Sequence, residues 1–235
     1  MVEKMNVIRL AQTDSTNEQA KKLLKAGAAH GTVVVAESQT AGKGQKGRVF
    51  FSPQSGLYVS IVLRDLTPDA ASKLTATVAV AAARAIESVA DVKVSIKWVN
   101  DLLIDGKKVA GILTEGQCTA DGTVDAIVGI GINVRQVEFP AELQEIAGSI
   151  EGAAGARVDR ETLLEALLSE IECADGSDYM AEYRARSSVI GRAVTVTAAD
   201  RVFEAVAVDI DGDGALIVES NGVRERFIFG EVRVR

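Results

Sequence analysis

Apolar and polar positions alternate along VIRLA (Val7 to Ala11), the period of a half-buried strand. The next stretch, DSTNEQAKKLLKAG (Asp14 to Gly27), changes to helical spacing and stops at Gly27, which predicts an amphipathic helix with a glycine end. TVVVAES (Thr32 to Ser38) and GLYVSIVLR (Gly56 to Arg64) are β-rich runs, the second bounded by Pro53 and Gly56. Pro68 to Val89 is alanine-rich, begins with a proline and holds no glycine, so it predicts one long helix. VSIKW, DLLID, KKVAGILTEG and TVDAIVGIGINV follow as short strands. Asp105-Gly106 and Asp121-Gly122 separate the later ones and predict hairpins between antiparallel neighbours. Asp159 to Ser188 reads as helix, broken near Asp175-Gly176. From Gly191 the pattern turns to RAVTVTA, FEAVAVDI, ALIVES, RERFIFG and EVRVR, with turns at Asp211 to Gly214 and at Asn221-Gly222. This is a small all-β module near the limit of independent stability, so it is expected to lean on the rest of the chain.

The 235 residues suffice for one substantial core plus that appendage, at roughly 100 to 200 residues per domain. The boundary falls between 1–188 and 189–235. A composition of 47% hydrophobic and 25% charged residues is that of a globular protein. A net charge of -7 excludes general attraction to nucleic acid or anionic lipid, so any cationic cluster is local. No segment has the long apolar run of a membrane helix, and a soluble cytoplasmic protein is expected. Cys118 and Cys173 stand too far apart in sequence for a CxxC pair or a zinc framework, and His30 is the sole histidine. Chemistry must therefore rest on Lys, Arg, Asp, Glu and backbone groups.

Two stretches carry candidate chemistry. AGKGQKGR (Ala41 to Arg48) contains Gly42-x-Gly44-x-x-Gly47, the dinucleotide fingerprint, which requires a helix directly after the last glycine. RVFFSPQSG follows instead, and Pro53 with Ser55-Gly56 precludes that helix. The loop still bears Lys43, Lys46 and Arg48 with no acid among them, which favours an anion-binding loop over a flexible solvated connection. IKWVNDLLIDGKKVAGILTEG (Ile96 to Gly116) sets Lys97, Trp98, Asn100 and Asp101 at one strand end and Lys108, Gly111 and Glu115 along the next. Asn-Asp is also ordinary turn chemistry, so a site and a structural turn are equal readings of it.

Taken together, the motifs resemble those of the biotin protein ligases, in the form without an N-terminal DNA-binding domain. The match comprises Gln39 to Phe50, Lys97-Trp98-Val99-Asn100-Asp101, Lys108-Val109-Ala110-Gly111-Ile112-Leu113 and Gly129-Ile130-Gly131-Ile132-Asn133, in family order. Ser15-Thr16-Asn17 agrees as well, and with Glu18 it also reads as a capping box on the first helix. Gln45 stands where many relatives carry arginine, Val99 where they carry proline and Phe50 where they carry tryptophan. The first departure implies weaker retention of an activated intermediate, the second an altered turn, and the third a stacking surface without an indole donor.

The resemblance implies an α+β fold: a mixed, mostly antiparallel sheet with helices, like a class II synthetase, plus an SH3-like β-barrel. It implies an enzyme that activates biotin with ATP as biotinyl-5'-AMP and transfers it to a lysine of a biotin carboxyl carrier protein domain. Lys97 and Arg48 are the implied catalytic residues. Ser15, Thr16, Asn17, Gln39, Lys43, Gly44, Gln45, Lys97, Gly111 and Ile112 would bind biotin. Lys43, Arg48, Phe50, Asn100, Lys108 and Asn133 would bind ATP, with Phe50 and Asn133 toward adenine. Mg2+ would bridge the phosphates, with Asp101 as its candidate protein ligand. The alternatives are a lipoate or octanoate ligase or transferase of the same fold, and a biotin-binding regulator without catalysis. A DNA-binding repressor is disfavoured by the few residues before Asp14 and by the acidic balance. A homodimer could form through edge strands between Asn100 and Asn133.

Overall fold

The computed structural model describes residues 5–174, 179–198 and 201–234. The expected helix break near Asp175-Gly176 lies outside the described residues. The first half forms β1 (Asn6–Thr13), α1 (Thr16–Lys25), β2 (Thr32–Gln39), β3 (Leu57–Leu66), α2 (Pro68–Val89), β4 (Ser95–Lys97), β5 (Asp101–Ile104), β6 (Lys107–Cys118) and β7 (Val124–Ile132). Then come α3 (Ile150–Ala154), α4 (Arg160–Glu172) and α5 (Tyr179–Ala185), and β8 (Ala193–Ala198), β9 (Arg201–Ile210), β10 (Leu216–Ser220), β11 (Val223–Phe227) and β12 (Glu231–Val234).

Seven strands make one sheet in the order β1-β2-β3-β7-β6-β5-β4, in which β1 and β2 are parallel and every other pairing is antiparallel. The Asp-Gly signals act where expected. Asp105 and Gly106 adopt φ of 48° and 78° between β5 and β6, the left-handed pair that a tight hairpin needs. α2 has the predicted bounds, because the Thr67 hydroxyl accepts from Ala70 N and Pro68 supplies a preset first turn.

β2 is buried on both faces. Val33 and Val35 point into the main core with Val59, Ile61 and the alanine-rich side of α2, whereas Val34 joins Val62, Ile127 and Ala20 of α1. The two helices therefore cover opposite faces of the sheet. α4 packs on α2 beyond it, and small alanines at 79, 81, 82, 83 and 85 let the layers approach.

β4 is a sheet edge, yet it is closed. Ile96 donates to Arg186 O (2.8 Å) and accepts from Ser188 N (2.9 Å), so the end of the predicted 159–188 helix is an extended segment paired to the sheet. Between Asn100 and Asn133, β5 and β7 are flanked on both sides, whereas β6 pairs with β5 only as far as Gly111 and from Leu113 to Cys118 pairs with β7 alone. That outer half of β6 has no second strand partner among the described residues, so an open edge of the kind the expected dimer pairing needs is present there.

The second sheet runs β11-β10-β9-β8-β12, wholly antiparallel. Among the described residues β11 and β12 do not pair, so the module is an antiparallel sheet without the closing contact of a barrel. It does lean on the first part: Val194, Val196, Ala207 and Val232 belong to the same apolar core as Ile96 and Trp98.

Candidate active site

A cavity of about 990 Å³ opens on the α1 face of the large sheet, with β12 forming part of its wall. Its floor is paved with glycine. Gly111 on β6 pairs with Gly131 on β7, and Gly129 lies two residues before it. A Cβ at Gly131 would stand 2.6 Å from the Phe50 ring, and one at Gly129 only 2.0 Å from Asn17 Oδ1. The floor lacks side chains because Phe50 and Asn17 occupy that space. This is the physical content of the Gly129-x-Gly131 motif.

The inner end is polar and uncharged. Gln39 Oε1 accepts from Thr16 N (2.8 Å) with Thr16 Oγ1 3.1 Å away, and Gln39 Nε2 donates to Ser52 Oγ (2.9 Å). Ser60, fully buried in β3, contacts Thr16 Oγ1 at 2.8 Å and Asn17 Oδ1 at 2.6 Å. The capping box is not formed: Ser15 occupies the N-cap but its hydroxyl does not bond the helix, and Glu18 faces Lys21 and Lys43 instead. Gln39 takes over that capping function. The parallel register places Gln39 beside Thr13, within reach of the exposed N–H of the first turn.

The loop Ala41 to Arg48 folds back on itself. Lys43 bridges Val49, Gly44 N donates to Arg48 O (2.7 Å), and Lys46 and Gly47 are left-handed at φ of 55° and 74°. As expected, no helix follows Gly47. Gly42 is required by packing, because a Cβ there would meet Ser52 Oγ at 2.4 Å.

Three loop and floor cations are neutralised by carboxylates: Lys43 by Glu18 (2.7 Å), Lys108 by Asp101 (2.5 Å) and Arg48 by Glu231 of β12 (2.5 Å). Hydrogen bonds from Lys43 and Lys21 hold Glu18 below the usual carboxylate range, and one from Arg48 does the same for Glu231. Lys97 differs. It is partly buried on the cavity wall and, among the described residues, its ammonium has no ion-pair or hydrogen-bond partner.

The turn after Lys97 is clamped from three sides. Trp98 Nε1 donates to Gly214 O (2.9 Å), Tyr183 OH to Val99 O (2.8 Å) and Asn100 Nδ2 to Ile112 O (2.7 Å). The turn reading of the Asn-Asp pair holds, since the Asn100 amide secures the turn, and Asn100 also lines the cavity. Asn133 is similar, with Nδ2 donating to Gly148 O (3.0 Å).

Ser15, Thr16, Asn17, Gln39, Lys43, Gly44, Gln45, Arg48, Phe50, Lys97, Asn100, Asp101, Lys108, Gly111, Ile112 and Asn133 all line this one cavity. His30 does not; it contacts the Arg64 backbone. Sequence reasoning missed Ser60, Ser52 and Glu231. Ser60 had a signal, a small polar residue inside the apolar run Val59 to Leu63, whereas Glu231 lies 183 positions from its partner and had none. Asp101 is already paired, and no group of three or more His, Cys, Asp or Glu able to hold a metal occurs among the described residues. The residues present do not form a protein cage for Mg2+.

An uncharged polar end, a glycine floor and a cationic mouth, set on a mixed sheet with an appended β module, define a pocket of the protein-ligase type. The sequence matches the biotin/lipoate A/B protein ligase family over residues 10–133 and the biotin protein ligase C-terminal domain over 189–235, and the chain belongs to the biotin protein ligase family. It is 38% identical over 219 residues to the bifunctional ligase/repressor BirA of Bacillus subtilis, covering 88% of this chain and 67% of that protein. It is 33% identical over 227 residues to the biotin–acetyl-CoA-carboxylase ligase of Mycobacterium tuberculosis, covering 91% and 83%. The biotin protein ligase of Aquifex aeolicus, solved in complex with biotin and ATP, superposes with a TM-score of 0.82 at 27% identity over 98% of each chain.

Proposed function

We propose that this cavity joins biotin to a carrier-protein lysine in two steps. The biotin carboxylate attacks the α-phosphorus of ATP and pyrophosphate leaves. The carrier amine then attacks the acyl carbon, AMP leaves, and the amine gives up its proton as the amide forms. The observation that carries this reading is Lys97, an unpaired ammonium in the same cavity as an uncharged polar cluster. A cyclic urea needs matched donors and acceptors without charge, which Ser15, Thr16, Asn17 and Gln39 supply, while two approaching anions need a cation between them. Lys43, Gly44, Gln45, Gly111 and Ile112 complete the biotin side. Arg48, Lys108, Asn100, Phe50 and Asn133 sit toward the nucleotide, and Arg48 and Lys108 reach phosphate by exchanging their present carboxylate partners.

No step is routed through Mg2+, because Asp101 is held by Lys108; a metal here would be bound chiefly by phosphate oxygens and water. The carrier is a carboxylase domain, and the relative named for acetyl-CoA carboxylase supports this choice. The net charge of -7 argues against nucleic acid as a partner. Two free, exposed cysteines suit a reducing cytoplasm. No described helix is long and apolar enough to cross a membrane. If the protein forms a homodimer by sheet pairing, β1 and the Leu113–Cys118 half of β6 are edges available among the described residues, since β4 is covered.

The test is exchange of labelled pyrophosphate into ATP, followed by intact mass of a carrier domain after incubation with biotin, ATP and magnesium. Exchange that depends on biotin and a carrier gaining one biotinyl group are expected. Exchange driven by lipoate instead would transfer the reading to the lipoate branch, and biotin binding without exchange would make the protein a regulator.

Gly129→Ala tests the inner end of the pocket. The added methyl must displace Asn17, which is pinned by Ser60 and Glu115 and cannot swing into solvent. Loss of one such buried hydrogen bond is about 1 to 3 kcal/mol, so the biotin KM should rise about tenfold or more while that for ATP stays near the wild-type value. An unchanged biotin KM would remove Asn17 from the biotin site.

A further inference from the structure

Glu115 on β6 lines neither the cavity nor the cationic mouth, yet it terminates both networks. Its Oε2 accepts from Asn17 Nδ2 (3.0 Å) and its Oε1 from Lys21 Nζ (2.7 Å). Asn17 and Lys21 are four residues apart on α1, so one helix face presents both donors to this carboxylate. Lys21 also binds Glu18 (2.9 Å), and Glu18 binds Lys43 of the loop (2.7 Å).

We infer that Glu115 is a positioning residue that sets the donor and acceptor polarity of the biotin-binding cluster and ties it to the loop; this rests on the function proposed above. A carboxylate can only accept. The Asn17 amide must therefore turn Nδ2 to Glu115 and Oδ1 to Ser60. Ser60 has a single proton, which goes to Asn17 Oδ1 at 2.6 Å, so the Ser60 oxygen can only accept from Thr16 Oγ1 at 2.8 Å. With its hydroxyl proton committed there, Thr16 caps Gln39 Oε1 through its backbone N–H (2.8 Å). Gln39 Nε2 then donates to Ser52 Oγ, whose proton goes to Phe50 O. The carboxylate thus sets the protons of Asn17, Ser60 and Thr16, while the Thr16 backbone N–H, which can only donate, orients Gln39 on its own. A neutral amide at 115 would permit both orientations of Asn17, and with them the reversed pattern on Ser60 and Thr16. A urea ring, which pairs two N–H donors with one carbonyl acceptor, distinguishes the two patterns.

The test uses the full chain and compares wild type, Glu115→Gln, Asn17→Asp and the double variant Asn17→Asp/Glu115→Gln by biotin-dependent pyrophosphate exchange. Glu115→Gln should raise the biotin KM about tenfold, the effect of one mispaired buried polar group, with the ATP KM within about twofold of wild type. Asn17→Asp alone sets two carboxylates face to face and should do at least as much harm. The double variant restores the polarity, since the amide introduced at 115 can donate to the carboxylate introduced at 17, which still accepts from Ser60. Its biotin KM should return to within about threefold of wild type. The inference is overturned if Glu115→Gln leaves the biotin KM unchanged, if the double variant is no better than the worse single one, or if the melting temperature falls while both KM values rise together. Failure of the wild type to show biotin-dependent exchange would instead sink the proposed function.

Discussion

Lys97→Ala is expected to slow biotin-dependent pyrophosphate exchange by a factor of about 10² to 10³, equivalent to about 2.7 to 4 kcal/mol in the barrier. The size follows from what the other cations do. Each of Lys43, Lys108 and Arg48 stands beside a carboxylate, so each pair brings little net charge to the cavity. Lys46 and Arg192 also line it without a partner among the described residues, but both are exposed and screened by solvent. Lys97 is the partly buried one. At about 4 Å and an effective dielectric near 20, a single unpaired charge interacts with an anion by roughly 4 kcal/mol, enough to offset much of the repulsion between a carboxylate and a polyphosphate.

The variant should remain folded, because β4 is fixed through the backbone of Ile96 on one side and the register with β5 on the other. The effect should appear in kcat more than in the biotin KM, since the ammonium matters most as charge builds on the α-phosphate. Exchange at near wild-type rates would assign the charge stabilisation to Arg48 or Lys108 after they leave their carboxylates, and Lys97 would lose its place.

What the sequence made legible were features encoded within a few residues. Asp105-Gly106 announces a hairpin because both residues tolerate positive φ, and Thr67-Pro68 announces a helix start because capping and preset φ are local. The candidate site residues were found as motifs, and the cavity gathers all of them. Their reasons lay further away. Ser15 and Glu18 have the spacing of a capping box, but Gln39, brought over by the parallel β1–β2 register, competes for the helix end, while Lys21 and Lys43 draw Glu18 outward. Nothing near Gly129 discloses that Asn17 fills its missing Cβ, and nothing near Arg48 discloses Glu231. Among the strands from Asn100 to Asn133 only the outer half of β6 has an open edge, and the sequence could not single it out for the same reason. Hairpin signals fix neighbours along the chain, whereas the β3–β7 pairing joins segments separated by a whole helix.

The same distance separates the parts of the ionic cluster that seats β4. Arg186 donates both Nη atoms to Glu87 (2.8 Å each), Nε to Glu182 (2.7 Å) and Nη1 to Val94 O (3.1 Å), and Arg84 Nε binds Glu182 from α2 (3.0 Å). The Arg186, Glu87 and Glu182 side chains are only 18 to 25% exposed, between the surface and interior limits for ion pairs. Arg186→Met keeps the stem but strands Glu87, and it should destabilise the protein by roughly 2 to 4 kcal/mol at pH 7, scaled down from the fully buried case. Burial by itself raises the pKa of Glu87 and of Glu182; hydrogen bonds from Arg186, and from Arg84 to Glu182, outweigh it, so both lie below the unfolded value of 4.5. Depressed carboxylates stabilise the folded state above that value and lose the contribution as pH falls through the folded pKa. In Arg186→Met the raising effect of burial on Glu87 is opposed mainly by the one hydrogen bond from Val94 N (2.8 Å), so the deficit should be largest near neutrality and shrink below about pH 4. Urea unfolding of wild type and variant at pH 7 and pH 3.5 measures both. A deficit equal at the two pH values would mean that the Arg186 stem, not its charge, holds α2, α5 and β4 together. A deficit that shrinks in acid would make this cluster the electrostatic seat of the strand that carries Lys97.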